Sequence, residues 1–200
     1  MKKILASLVL SVLGFCAYAQ NDYQAAYFGT QTDGITDNTG TIQRAIDFIS
    51  EKGGGTLTFT VGRYLTSAIE MKSNVTISIR EGAVLLAKPS VYSYNEHNAL
   101  IYADGAENIA VIGKGSIDGN AQALKADSAD QLAKGYIKSE VAPVLIDFTG
   151  CTNARVEEVR LTNPAVEKAV LGVRPVGVYT YFYETGTCIT PDGRTIKVQK

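Results

Sequence analysis

GTQTDGITDNTGTIQRAIDFISEKGGGTLTFTVGRYL, residues 29–65, sets out a polar turn, a helix, a glycine stop and a strand, in that order. Ile42, Ala45, Ile46 and Ile49 recur at helical spacing and form one apolar stripe. Asp37, Asn38 and Thr39 precede it as N-cap candidates, and Gly53, Gly54 and Gly55 end it. Leu57 and Phe59 then alternate with Thr56, Thr58 and Thr60, the two-residue period of a strand. A solenoid leaves the end of its apolar core open to water, and a short helix with one greasy face is a suitable lid. The same periodicity fits a helix–strand unit of an α/β domain, so the remainder of the chain has to decide.

Working outward, short β-rich runs recur: Val75–Ile79, Ala83–Leu86, Leu100–Tyr102, Ile109–Ile112, Ser116–Asp118, Val144–Phe148, Ala154–Val156 and Val159–Leu161. Gly, Asn or Pro separates many of them, and no second strong helical stripe intervenes, which argues against alternating βα units. Lys72-Ser-Asn-Val-Thr-Ile77, Ala106-Glu-Asn-Ile-Ala-Val111 and Cys151-Thr-Asn-Ala-Arg-Val156 resemble one another, each with an Asn just before an alternating strand. Irregular repetition of this kind suits a solenoid with loops of varying length. Asn tolerates left-handed turn geometry and bonds to neighbouring backbone. Asn74, Asn108 and Asn153 are therefore expected to stack as an inward-facing column, each side chain bonded to the next coil.

The segment Asn98–Asn120 ends in Gly113-Lys-Gly-Ser-Ile-Asp-Gly119. Its glycines permit tight bends between sheet faces. Gly113-Lys-Gly115 is too short for a phosphate loop, and no helix obviously follows it. Together with the 29–65 stretch, this segment resembles the polygalacturonase-like family (glycoside hydrolase family 28 and its pectate-lyase-type relatives), over about residues 25–164. The resemblance implies an all-β fold: a right-handed parallel β-helix with a short N-terminal capping helix, of which this chain holds the first coils. It also implies an inverting hydrolase acting between galacturonic acid units of pectic polysaccharide. Inverting hydrolysis needs an acid and a base about 6.5–9.5 Å apart. The family places them in Asn-Thr-Asp and Asp-Asp motifs, followed by Gly-His-Gly and Arg-Ile-Lys. None of these occurs in the 200 residues. Thr195-Ile-Lys197 mimics the last without its arginine, and the single histidine, His97, has no glycine beside it. No catalytic residue is carried over.

Other carboxylates read as structural or solvated. Asp118 lies in a Gly-rich corner and reads as a turn residue. Asp127 and Asp130 fall in Ala121–Ser139, a loop or short helix between coils. Glu157 and Glu158 are adjacent and would point to opposite faces of a strand. Asp147 alternates with Ile146 and Phe148 and is expected to face outward. No cluster has metal-ligand spacing, no nucleophilic Ser or Cys arrangement stands out, and no cofactor or metal is expected.

The charge of −1 gives no reason to expect nucleic acid as a partner. Lys2 and Lys3, the apolar run Ile4–Ala19 and the ending Ala17-Tyr-Ala19 read as a signal peptide (residues 1–19) cut before Gln20. Export to a periplasmic or extracellular site, without membrane attachment after cleavage, is the expectation. Cys16 lacks the small residue that precedes a lipidated cysteine. Cys151 and Cys188 then remain, either as one disulfide or with Cys151 as a small buried residue. Residues 20–164 form the expected cap and first coils. Residues 165–200 read as a divergent tail, with Val176–Tyr183 a strand and Pro191-Asp-Gly193 a turn, hence a terminal hairpin or the product of truncation.

Overall fold

The computed structural model describes residues 21–94 and 96–198, so the expected signal peptide lies outside the described residues. The chain winds as a parallel β-helix whose coils each lay one strand on sheets A, B and C. Coil 1 comprises β1 (Asp22–Gln24), β2 (Asp33–Asp37) and the helix α1 (Thr39–Glu51), which takes the place of a sheet-C strand. Coil 2 comprises β3 (Gly55–Phe59), β4 (Gly62–Thr66) and β5 (Ile69–Glu70). Coil 3 comprises β6 (Val75–Ile79), β7 (Ala83–Ala87) and β8 (Ala99–Asp104). Coil 4 comprises β9 (Ala110–Ile112), β10 (Ser116–Asp118), the inserted helix α2 (Ala121–Ala133) and β11 (Val144–Thr149). Coil 5 comprises β12 (Arg155–Glu157), β13 (Arg160–Thr162) and β14 (Val170–Leu171).

The segment 165–197 has two parts. Its first half continues the winding: β14 extends sheet C, Val176 bridges to Glu157 on sheet A, and β15 (Tyr179–Phe182) extends sheet B in parallel. Its second half turns back, with β16 (Thr187–Ile189) and β17 (Thr195–Lys197) pairing antiparallel as a meander on the end of sheet B. Sheet B thus reaches eight strands, against five in A and four in C.

Register does the packing. On sheet A, Leu57, Ile77, Val111 and Val156 stand directly above one another. Tyr64, Leu85, Ile117 and Leu161 do so on sheet B, and Ile69, Ile101, Ile146 and Val170 on sheet C. All twelve are buried. Each coil therefore adds an apolar layer at the strand spacing of about 4.8 Å.

The cap behaves as its stripe predicts: Ile42, Ala45, Ile46 and Ile49 are fully buried. Its C-terminus is closed by Gly53, in the left-handed region, with Gly53 N–H donating to Ser50 O and Gly54 N–H to Ile49 O. Its N-terminus differs from expectation. Asn38 stands at the cap position, but its buried side chain instead bonds Gln31 N–H, Gln31 O and Thr36 O. The neighbouring Asp37 accepts from the free Thr39 N–H at 2.9 Å. Gln43 replaces a missing strand, since its amide accepts from Glu70 N–H at 2.8 Å and donates to Glu70 O at 3.1 Å. That pair of bonds satisfies the backbone of the first sheet-C strand, which would otherwise be an open edge.

The asparagine column forms with one correction. Asn108 Nδ2 donates to Asn74 Oδ1 at 3.0 Å and Asn153 Nδ2 to Asn108 Oδ1 at 2.8 Å, but all three residues are exposed rather than inward-facing. The physical reason is their backbone: φ values of 65, 55 and 52° make them the corner residues between sheets C and A, where the chain turns outside the core.

Asn108→Gly keeps the left-handed corner and loses the ladder bonds, with an expected cost of about 1 kcal/mol. Asn108→Ala also strains the corner, for a total of about 2 kcal/mol. Urea unfolding monitored by circular dichroism separates them: equal losses would remove the corner strain from the account, and a glycine variant as stable as the wild type would remove the ladder. On β2, Asp33 accepts from Ile35 N–H, Thr36 Oγ1 and Thr36 N–H, which lowers its pKa to about 2. A depressed carboxylate adds stability that is present above its unfolded value, near 4, and lost as pH falls toward 2. Carboxyl NMR titration of Asp33 should show this, and a midpoint near 4 would refute it.

Candidate functional site

The three corners of each coil are unequal. The A-to-B corners are tight after the first coil: in coil 4 a Cβ on Gly113 would lie 2.3 Å from the Ile79 carbonyl oxygen, so glycine alone fits there. The C-to-A corners carry the asparagine ladder. The B-to-C corners hold the long segments, 88–94 with 96–98, 119–143 and 163–169, and these form a wall along the edge shared by sheets B and C.

Strand alternation decides what the outer face of sheet B shows. One cross-strand row reads Arg63, Val84, Ser116, Arg160 and Tyr179, and the next reads Leu65, Leu86, Asp118, Thr162 and Tyr181. Arg63 and Arg160 are three strands apart, about 14 Å at the usual spacing. Arg160 is steadied by a bond from Nη2 to Lys114 O at 3.1 Å. Beside it, the rings of Tyr179 and Tyr181 stack with centroids 6.4 Å apart and an interplanar angle of 21°. Burial comes first among the causes that raise the Tyr181 phenol, so it stays neutral.

At the carboxyl ends of these strands lies a polar seam. Lys88 pairs with Asp37 at 2.9 Å, and Asn120 Nδ2 donates to Ala87 O at 3.2 Å. Asp118 Oδ1 accepts from Asn120 N–H at 2.9 Å and Asn163 Nδ2 at 3.0 Å, with Arg63 3.9 Å from its Oδ2. All these partners are donors, so Asp118 acts as an acceptor that ties coils 2, 4 and 5 together. The seam opens into a cleft of about 640 Å³ whose polar lining includes Asn120, Lys125, Asn163, Glu167 and Glu184, with Phe182 and Tyr183 as aromatic walls. Lys125 pairs with Glu184 at 2.8 Å.

The other sequence candidates are scattered. Asp127 accepts from Val91 N–H at 2.8 Å and joins the two insertions, and Asp130 pairs with Lys134 one helical turn away. Glu157 pairs with Arg155. Glu158 does not oppose it on a strand: β12 ends at Glu157, and Glu158 turns the corner at φ 61°. Asp147 faces outward on sheet C in register with Tyr102, on whose ring His97 stacks at 4.3 Å. Cys151 and Cys188 are separate free thiols, the first beyond sheet C and the second on β16, each with its pKa raised mainly by burial. Among the described residues no group of three His, Cys, Asp or Glu is placed to hold a metal, and no helix is long and apolar enough to cross a membrane.

Sequence reasoning missed the face itself. Tyr179 and Tyr181 at two-residue spacing were a usable signal, but Arg63 and Arg160 gain meaning only from register across sheet B. Lys125, Glu167 and Glu184 meet only because the meander folds beside α2.

The three stacked parallel sheets define a right-handed parallel β-helix protein. No protein-family model matches the chain. A solved structure of a candidate glycosyl hydrolase from Parabacteroides merdae is 44% identical, with a TM-score of 0.74 over 81% of this chain and 85% of that one. An exo-poly-α-D-galacturonosidase of Dickeya chrysanthemi is 32% identical over 143 residues, 60% of this chain. The match spans only 23% of that relative's length. The family 28 exopolygalacturonase of Yersinia enterocolitica, 22% identical with a TM-score of 0.66 over 80% of this chain and 38% of its own, shares the fold. The chain belongs to the polygalacturonase-like family of right-handed β-helix proteins and matches the N-terminal part of such proteins.

Replacing Asp118 by Ala strands two donors in the seam, the Asn120 N–H and the Asn163 amide. The expected loss is about 2 kcal/mol by chemical denaturation. A loss below about 0.5 kcal/mol would show that Asp118 does not tie the coils.

Proposed function

We propose that this chain provides N-terminal coils of an exported, polygalacturonase-like glycoside hydrolase of the inverting type, and that by itself it binds acidic, galacturonate-containing polysaccharide without cleaving it. The observation that carries the reading is the row Arg63, Arg160 and Tyr179 on the outer face of sheet B. Uronate sugars combine a carboxylate and a rim of hydroxyls with a ring face that carries a patch of C–H groups. Guanidinium groups match carboxylates, and tyrosine faces match ring C–H groups. Solenoid rise lays these groups along a line, which suits a linear polymer better than a compact ligand.

Binding without turnover follows from how the carboxylates are used. Asp118 is engaged by donors from three coils, and Glu184 by Lys125. An acid–base pair has to leave room for sugar and water between its members, and neither of these carboxylates is available in that way. Export is supported by the Lys2–Ala19 pattern, and Gln20 as the first residue of the secreted protein would be its direct test.

Calorimetric titration with polygalacturonate should show binding to the chain, with no gain in reducing ends. Arg63→Ala combined with Arg160→Ala should weaken binding about tenfold, about 1.4 kcal/mol, while a neutral galactan binds neither protein. Unchanged affinity in the double variant would discard the sheet-B face. Reducing ends released by the wild-type chain and abolished by Glu167→Gln would instead assign hydrolysis to the cleft.

A further inference from the structure

The insertions 88–98 and 119–143 add little to the core. Of the residues of α2, only Ala121, Leu124 and Ser128 are buried. Polar bonds nonetheless hold the insertions firmly: Val91 N–H to Asp127 Oδ2 at 2.8 Å, Gln131 Nε2 to Asp127 Oδ1 at 3.3 Å, and Val141 N–H to the buried Ser128 Oγ at 3.0 Å. Ordering such a segment costs conformational entropy that its core burial does not recover.

What the segment presents outward is a pair of tyrosines, Tyr92 at 67% and Tyr136 at 69% exposure, with the half-exposed Leu132 beside them. Both are anchored to one residue. The Tyr92 hydroxyl donates to Gln131 Oε1 at 3.2 Å, and Tyr136 N–H donates to Gln131 O at 3.0 Å. The second bond belongs to the helix terminus: Gly135, at φ 73°, donates its N–H to Leu132 O, and Tyr136 follows with the longer bond to Gln131. The backbone of Tyr136 is thus fixed by the way α2 ends, and Tyr92 is held against the same turn by its hydroxyl. Exposed aromatic rings on a rigid support, with amide and hydroxyl groups between them, suit an amphipathic sugar ring.

We propose that Tyr92 and Tyr136 form an accessory saccharide subsite on the wall, which holds a distal stretch of the same acidic polysaccharide chain that the sheet-B face binds. The proposal rests on that reading for the identity of the ligand. Continuity supports it. The first turns of α2, through Gln122 and Lys125, line the cleft, and Gln131 lies about 9 Å further along the same helix at 1.5 Å per residue. The cleft meets sheet B through Phe182, next to Tyr181 on β15, and the helix carries on from the cleft to the wall, so a polymer bridges face, cleft and wall and a single sugar does not. A subsite of this kind raises the affinity for long chains through effective concentration and leaves short ones unaffected.

The test uses the whole chain with ring-labelled tyrosines, observed by NMR, and two probes: polygalacturonate polymer and tetragalacturonate. The expected result is that polymer shifts the ring signals of Tyr92 and Tyr136 as well as those of Tyr179 and Tyr181. Y92A combined with Y136A should lower polymer affinity about tenfold and leave tetramer affinity unchanged, while Y136F, which keeps the ring, should bind as the wild type. If Tyr179 and Tyr181 shift and the wall tyrosines do not, the accessory subsite is refuted and the sheet-B reading stands. If only the wall tyrosines shift, the wall binds saccharide by itself, and both the sheet-B reading and the accessory role of the wall fall. If none shifts, both fall.

Discussion

In-register parallel pairing is the constraint on which everything else in this molecule depends. Once the backbone N–H and C=O groups of one coil bond to those of the next, the side-chain period of two forces equivalent positions into columns. Inside, this produces the aligned apolar stacks from Leu57 to Val156, from Tyr64 to Leu161 and from Ile69 to Val170. A slip of one residue would move such a column to the surface. The same rule acts outside, where it turns isolated residues such as Arg63, Arg160 and Tyr179 into a row. Core and face are two sides of one register.

Parallel stacking needs its first coil covered, and the last described strands depart from the parallel pattern. At the beginning, α1 covers the interior with its isoleucines, and Gln43 imitates the backbone of a missing strand. An aromatic group of Tyr23, Phe28 and Phe48, with Lys52 over the Phe48 ring, holds the helix to the first coil. At the other side, β16 and β17 reverse direction, so the stacking geometry of sheet B stops being parallel. Antiparallel strands connect through short turns and need no crossover, which lets a brief segment extend the sheet without building another coil.

The cap and the solenoid were legible because each rests on a local pattern. The stripe of α1 is a period of 3.6, the strands a period of two, and the corner asparagines a positional habit repeated in Asn74, Asn108 and Asn153. Where the sequence misled, the reason is three-dimensional. Asparagines before a strand say that a corner exists, but only the left-handed backbone says that the side chains lie outside it. Asn38 looked like a cap by its position, yet its amide satisfies a buried loop and leaves capping to Asp37. The segment after Pro164 lost its resemblance to the family and still wound onto all three sheets, because Val170, Val178 and Thr180 supply inward-facing side chains without a recognisable motif. The binding face was illegible for a further reason. Its members are separated by whole coils, and no local period links Arg63 to Arg160.

Among the described residues, the longest insertions after the first coil all stand at one corner of the solenoid. The A-to-B corner is closed by steric contact, as at Gly113 against Ile79. The C-to-A corner is committed to a ladder whose amides must stay in line, because each bonds to its neighbour in the next coil. Loop length can vary at the B-to-C corner, since nothing there has to repeat. The described parts of 88–98 and the segment 119–143 use that freedom at the edge shared by sheets B and C, where His97 also stacks on Tyr102 of sheet C. Insertion is cheap in loop entropy, which grows slowly with length, but ordering the inserted residues is not. The bonds of Asp127, Ser128 and Gln131 hold the inserted segments in place at that corner. The geometry of the repeat thus bears on where new surface is added, and in this chain the longest additions stand along the edge between sheets B and C.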